Sequence, residues 1–354
     1  MRILSIVGAR PQFIKAFALS SELRKKHVEI LVHTGQHYDY EMSRIFFEEL
    51  SIPEPDYNLG VGSSTHGAQT GRIMERVEEV IVRECPDLVL VYGDTNSTLA
   101  GALVAAKLHI KVGHVEAGLR SYDRRMPEEI NRVVTDHISD LLFAPTETAM
   151  GNMKKEGITK GTYLVGDVMC DALKIAKQKT NRPEIMADTG EKYLVATIHR
   201  AENTDDMQRL SRIIRALRDS NRSIILPLHP RTKRKMGSNE LIESINGNLK
   251  IINPVGYLSM ISLMTGAEKI LTDSGGVQKE AYILGKPCIT MRETTEWIET
   301  VNAGWNVLVG SNRGKILNAI NDFNPKGDRA DIFGDGRACE SIGEVICEQM
   351  KLFP

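Results

Sequence analysis

Short runs of β-branched and aliphatic residues punctuate this chain, and between them apolar positions recur among polar ones at helical spacing. In the first half the runs are RILSIV, VEILVH, DLVLVY, KVGHV, DLLFA and TYLV; in the second they are YLVATI, SIILPL, LKIIN, KILT, PCITM and NVLVG. Stretches such as PQFIKAFALSSELRKK and STLAGALVAAKL separate them and read as amphipathic helices. Strand and helix patterns in alternation predict parallel α/β sheets, one doubly wound, Rossmann-like sheet in each half. The segment from Gly166 to Tyr193 reads as a helix and then a polar linker with Pro183, Asp188 and Gly190. The expected division is therefore a first domain over 1–168, a second over 169–334 and a closing helix at about 335–354. Two such sheets facing one another would leave a deep interdomain cleft, the usual place for a ligand.

Composition narrows the class. The chain has 354 residues, 42% hydrophobic and 26% charged, the balance of a soluble globular protein. A formal net charge of -1 argues against a broad basic surface for nucleic acid. Its five cysteines, Cys85, Cys170, Cys288, Cys339 and Cys347, show no C-x-x-C pattern and suit reduced thiols used as small buried hydrophobes. No apolar run approaches the roughly 18 residues of a membrane span. The opening MRILSIVGARPQFIKA turns polar too quickly for a signal peptide. The expectation is a cytoplasmic protein with no membrane or nucleic-acid partner.

In open parallel sheets ligands bind beyond the carboxyl ends of the strands, so the residues there carry the functional reading. After the first strand, GARPQFIK offers a tight turn, Pro11 at a helix start, and Arg10 and Lys15. That suits a phosphate, and equally an ordinary capped turn with two surface cations. Asp94 follows DLVLVY, either as chemistry or as a cap for the helix after it. Glu116 follows KVGHV, where a cap does not explain it. Beyond it stand Arg120, Asp123, Arg124, Arg125, Glu128 and Glu129, more charges than a solvated loop needs. Glu128 and Glu129 also suit the first turn of a helix begun by Pro127, where the helix dipole favours acids. In the second half His199 and Arg200 end one strand, and His229 and Arg231 follow another. Ser274, Gly275 and Gly276 then link a strand to a helix that carries Glu280. Glycines let backbone N–H groups approach an anion, and a carboxylate on that helix could accept ribose hydroxyls; a plain tight turn remains open.

The chain contains no G-x-x-x-x-G-K-[ST], G-x-G-x-x-G or H-E-x-x-H, and no Asp-x-Asp of the kind that holds a metal–nucleotide. The residues therefore describe a metal-free site, without cofactor, for a nucleoside diphosphate. With GARPQFIK, TGQHYD, GDTNSTLAGAL, HVEAGLRS, MPEEINR, HRAENT, HPRT, LTDSGGVQKEA and GKPCITMRETTE in order, the chain resembles the non-hydrolysing UDP-N-acetylglucosamine 2-epimerases over nearly its whole length. The resemblance implies a GT-B architecture, with the last helix returning to the first domain, and a homodimer. It implies Asp94, Glu116 and Glu128 as catalytic carboxylates, and His199 beside the diphosphate and leaving group. It further implies Arg10 and Lys15 on the substrate, Ser274, Gly275 and Gly276 on the phosphates and Glu280 on the ribose.

In such enzymes UDP is eliminated across C1–C2 to give a 2-acetamidoglucal and is then added back with C2 inverted. Many members that act on UDP-N-acetylglucosamine read TTERPE where this chain reads TTEWIE, so that Trp297 replaces an arginine. Together with HGAQTG, GDVM and PVGYLSMI, this looks more like the branch that epimerises UDP-2,3-diacetamido-2,3-dideoxyglucuronate. The alternative is that Trp297 merely packs and Arg292 compensates. Gln36 and His37 match elements of a second, activating UDP-sugar site found in some members, whereas SSTHGAQT departs from its pattern. A glycosyltransferase of the same fold, a hydrolysing relative and a non-catalytic UDP-sugar sensor would share the nucleotide end of such a site.

Overall fold

The computed structural model describes residues 1–36, 54–179, 192–236 and 247–351, apart from the side chains of Arg10, Pro230 and Arg231. The chain divides into two compact units, Met1–Ile175 with Asp331–Pro354, and Ala176–Ala330. The helix Val168–Lys179 spans that division. Among the described residues no helix is long and apolar enough to cross a membrane.

The first unit carries β1 (Arg2–Val7), β2 (Val28–His33), β3 (Tyr57–Asn58), β4 (Leu88–Tyr92), β5 (Lys111–Val115), β6 (Leu141–Ala144) and β7 (Thr162–Leu164). They form one parallel sheet in the order β3-β2-β1-β4-β5-β6-β7. The second unit carries β8 (Leu194–Thr197), β9 (Ile224–Pro227), β10 (Leu249–Ile252), β11 (Ile270–Thr272), β12 (Cys288–Thr290) and β13 (Asn306–Leu308), in the order β10-β9-β8-β11-β12-β13. Every apolar run noted above is a strand. The addition is β3, an edge strand of two residues, too short to leave a run.

Strands buried on both faces explain why those runs are nearly continuous rather than alternating. In the first unit Leu4, Ile6, Val32, Val89 and Val91 pack with Ile73 and Val77 of the helix His66–Glu84 and with Ala100 and Val104 of the helix Asn96–Lys107. In the second, Leu194, Ala196, Ile224 and Leu226 pack with Leu210, Ile213 and Leu217 of the helix Met207–Asp219. Strand order reverses between β1 and β4 in one sheet and between β8 and β11 in the other. The loops leaving those pairs diverge, which opens a crevice at each switch point.

The last helix, Ala338–Gln349, packs on the helix Arg10–Leu23 and so closes the first unit. Its own cap residue, Arg337, supplies no side-chain hydrogen bond to its amino terminus. Asp171, distant in sequence, accepts from Ala338 N at 3.1 Å and Cys339 N at 3.2 Å instead. Burial raises the Asp171 pKa in spite of these bonds, so an uncharged acceptor suits the position. Asp171→Ala should lower the unfolding free energy by about 1–2 kcal/mol, the usual loss of a helix cap. Asp171→Asn, which keeps an acceptor, should lower it by less; urea midpoints of the two variants test the difference.

Candidate functional site

In the first unit the switch point is built around Gln12, which is 2% exposed. Its Oε1 accepts from Gly8 N at 2.8 Å and Ala9 N at 2.9 Å. Its Nε2 donates to Tyr92 O at 2.6 Å and to the hydroxyls of Thr95 and Thr98, each at 3.0 Å. One amide thus ties the turn after β1 to the turn after β4, and it takes up two N–H groups that a phosphate could have used. Lys15 is not a surface cation. Its ammonium is buried in an ion pair with Glu116 Oε2, both side chains 9% exposed. The Arg10 side chain lies outside the described residues.

Glu116 is the most unusual residue of the site. Its backbone φ is 73°, in the left-handed region that residues with a side chain rarely adopt. Glu116 N and Ala117 N both reach Phe143 O at 3.1 Å, so the end of β6 holds the turn in that conformation. Backbone strain of this kind persists where surrounding structure enforces it, and it clusters at functional sites. Gly93 also has a positive φ, 63°, and a Cβ there would stand 3.3 Å from Glu116 Oε2 and 3.6 Å from Lys15 Nζ. The glycine leaves room for the pair.

Asp94 does not cap the helix that follows; Thr95 does, accepting from Thr98 N at 3.3 Å. The Asp94 carboxylate, 35% exposed, is held by Arg132 instead. Arg132 also donates to Glu129 Oε2 at 2.9 Å, and its own Nε is buried without a hydrogen-bond partner among the described residues. Burial works against its charge, but Asp94, Glu129 and Glu116 outweigh it and raise its pKa. Sequence reasoning missed this residue, although it lies at helical spacing from both acids in MPEEINR.

The charged row after β5 separates into three groups. Glu116 belongs with Lys15. Arg120 and Glu129 are framework: Arg120 is buried against Asp136 and Glu156, and Glu129 Oε1 and Oε2 accept from Tyr122 N and Ser121 N, each at 2.9 Å. Asp123 and Arg125 form an exposed local pair whose hydrogen bonds lower the Asp123 pKa to about 2. Arg124 and Glu128 are exposed, Glu128 in the first turn of the helix Pro127–Ile138.

In the second unit a buried carboxylate plays the part of Gln12. Asp273, 0% exposed, accepts from His199 N at 3.1 Å, Arg200 N at 3.0 Å and Asn203 Nδ2 at 3.2 Å. It joins the turn after β8 to the turn after β11, and it too went unmarked in the sequence. His199 stands with its Nδ1 3.4 Å from Asp273 Oδ1 and its ring 5.3 Å from that of His229. Ser274 is the amino-terminal cap of the helix Gly275–Ile283, its hydroxyl accepting from Val277 N at 3.5 Å. A Cβ on Gly275 would lie 3.3 Å from Glu296 Oε2 and 3.5 Å from Trp297 Nε1, whereas Gly276 is more open. Trp297 is buried, with Lys279 Nζ 4.5 Å from its ring centroid. Glu280 is buried on the same helix. His37 and the Arg231 side chain lie outside the described residues.

Each unit therefore carries its own cluster of candidate residues. The first gathers Lys15, Asp94, Glu116 and Arg132 at its switch point. The second gathers His199, Arg200 and a serine-glycine helix start, where backbone N–H groups and the helix dipole suit an anion. A sequence profile described as UDP-N-acetylglucosamine 2-epimerase matches residues 21–347. The chain is 56% identical to a UDP-N-acetylglucosamine 2-epimerase homolog of Methanococcus maripaludis, over 98% of this chain and 99% of that one. It is 49% identical to the UDP-2,3-diacetamido-2,3-dideoxy-D-glucuronate 2-epimerase of Pseudomonas aeruginosa, over 98% and 100%. Its fold matches the crystal structure of Methanocaldococcus jannaschii UDP-GlcNAc 2-epimerase in complex with UDP-GlcNAc and UDP, with a TM-score of 0.89, 46% identity and coverage of 98% and 100%.

Glu296 gives the cluster of the second unit a pH signature. Burial alone would raise its pKa, but Arg292, whose Nη1 lies 2.8 Å away, and Arg200, at 3.8 Å, hold it below the ordinary value. A folded value below the unfolded one means stability that is complete above about pH 4.3 and is lost as pH falls through the folded value. Glu296→Gln should therefore be less stable than the parent at neutral pH, and the gap should narrow as pH falls below about 4.3. Denaturation midpoints between about pH 3 and 7 measure it.

Proposed function

This chain belongs to the UDP-N-acetylglucosamine 2-epimerase family, and from that membership we propose that it inverts C2 of a UDP-2-acetamido sugar by eliminating and re-adding UDP. The C2 hydrogen is not adjacent to a carbonyl, so direct deprotonation is too difficult. Elimination solves this. A carboxylate takes the C2 proton while the C1–O bond breaks, giving a 2-acetamidoglucal and UDP. Addition of UDP to C1, with a proton delivered to the other face of C2, gives the epimer. Atoms and charge balance without a cofactor.

In this reading Asp94, Glu116 and Glu128 carry the proton to and from C2. Lys15 and Arg10 meet the substrate, and Arg132 fixes Asp94. His199 stands by the departing diphosphate; Ser274, Gly275 and Gly276 bind its phosphates, and Glu280 binds the ribose. The observation that carries the reading is the left-handed Glu116, a strained carboxylate past the end of β5, ion-paired with Lys15 of the helix that starts at the sheet's switch point. Preorganised positive charge at the leaving group supplies electrostatic stabilisation as the C1–O bond breaks.

For the sugar, the Trp297 form favours UDP-2,3-diacetamido-2,3-dideoxyglucuronate, the substrate named for the Pseudomonas relative. The competing substrate is UDP-N-acetylglucosamine, named for the Methanocaldococcus structure. The same family reading gives a cytoplasmic homodimer. Proton NMR in D2O with each sugar in turn tests the proposal. New manno-configured product carrying deuterium at C2 is the expected result, with the faster substrate identifying the sugar. Free hexosamine accumulating with UDP would mean hydrolysis and would overturn it. Glu116→Gln should lower kcat by at least about 100-fold while UDP still binds.

A further inference from the structure

His114, in β5, is 0% exposed and touches two oxygen atoms. Its Nδ1 lies 2.7 Å from Asp136 Oδ1 and its Nε2 lies 2.7 Å from Gly93 O. A carboxylate and a carbonyl can only accept hydrogen bonds. The ring therefore bridges the Asp136 carboxylate and the Gly93 carbonyl.

The surroundings hold that bridge in place. Asp136 is also 0% exposed at its side chain. Its second oxygen accepts from Arg120 Nη1 at 2.7 Å and from Gly118 N at 3.0 Å. Arg120 in turn makes a two-bond pair with Glu156, at 2.7 and 2.8 Å. Burial alone would raise the Asp136 pKa, but His114 and Arg120 together lower it. Gly93 N donates to Val115 O at 3.0 Å, so the peptide units on both sides of Gly93 are pinned to β5.

These contacts join two turns. Gly93 precedes Asp94 and makes room for Glu116, whereas Gly118 lies two residues beyond Glu116. We infer that His114 is a positioning residue for the epimerisation: with its ring oriented by Asp136, it sets the Asp94 turn in register with the Glu116 turn through its bond to the Gly93 carbonyl. The inference rests on the epimerase reading of this site, and a small displacement of two groups that act on one carbon costs rate more than it costs substrate binding.

Two variants of the full-length protein separate positioning from mere packing. An asparagine amide nitrogen falls near the place of Nδ1, and a glutamine amide nitrogen near the place of Nε2. His114→Asn keeps the bond to Asp136 and loses the one to Gly93; His114→Gln does the reverse. Expected for His114→Asn is a kcat lower by about 10–100-fold with KM changed less than about threefold. His114→Gln should recover kcat to within about tenfold of the parent. Unchanged kcat in His114→Asn, equal losses in both variants, or a rise in KM alone would overturn the inference. Should neither variant fold, 15N-histidine NMR of the parent decides: a hydrogen on His114 Nε2, the donor that the Gly93 carbonyl needs, is expected, and a bare Nε2 overturns it. A parent that exchanges no C2 hydrogen on any UDP-2-acetamido sugar would instead defeat the epimerase reading, with the NMR result still testing the His114 bonds.

Discussion

Where a parallel sheet reverses its strand order, two loops part company and leave backbone N–H and C=O groups with no strand beside them. Buried polar groups of that kind need partners, and each unit supplies them with a single buried side chain. Gln12 does it in the first unit, joining Gly8 and Ala9 to Tyr92 and the Thr95–Thr98 cap. Asp273 does it in the second, collecting the N–H groups of His199 and Arg200. The choice of an amide in one and a carboxylate in the other follows their neighbours. Gln12 must both donate and accept, whereas Asp273 meets only donors.

With the crevices braced, the charges of the first unit divide their work. Those with complete sets of partners, Asp136, Arg120 and Glu129, hold loops in place and are buried. Nearer solvent stand Asp94, held by Arg132, and the exposed Glu128. Glu116 stands between, its side chain 9% exposed, its backbone left-handed, and paired with Lys15. A buried ion pair contributes little net stability once desolvation is counted, so such a pair is better understood as holding a geometry than as holding the fold together.

The strands were legible because burial on both faces writes a continuous apolar run into the sequence, and only the two-residue β3 was too short to leave one. Asp94, Glu116 and the Ser274–Gly276 turn were legible because they follow strand ends, where composition departs from the pattern. The supports were not. Gln12 reaches its partner Tyr92 across 80 positions, and His114 reaches Asp136 across 22. Within their own elements they read as an ordinary helix glutamine and a strand histidine. Arg132 and Asp136 read as the polar face of a helix, and only the folded chain turns that face inward. The cluster of charges after β5 suggested one site; it separates into an ion pair with Lys15, a framework and a solvated loop, because neighbouring residues on a turn and a helix point in different directions.

The return of Ala338–Gln349 to the helix Arg10–Leu23 makes the first unit discontinuous, whereas Ala176–Ala330 is a single stretch. Chains are synthesised from the amino terminus, and domains generally fold as they emerge. The second unit can therefore complete its core while the first still lacks its last helix and the two N–H groups that Asp171 awaits. The part made first is finished last, and the apolar face of Arg10–Leu23 stays uncovered until Ala338–Gln349 has been made.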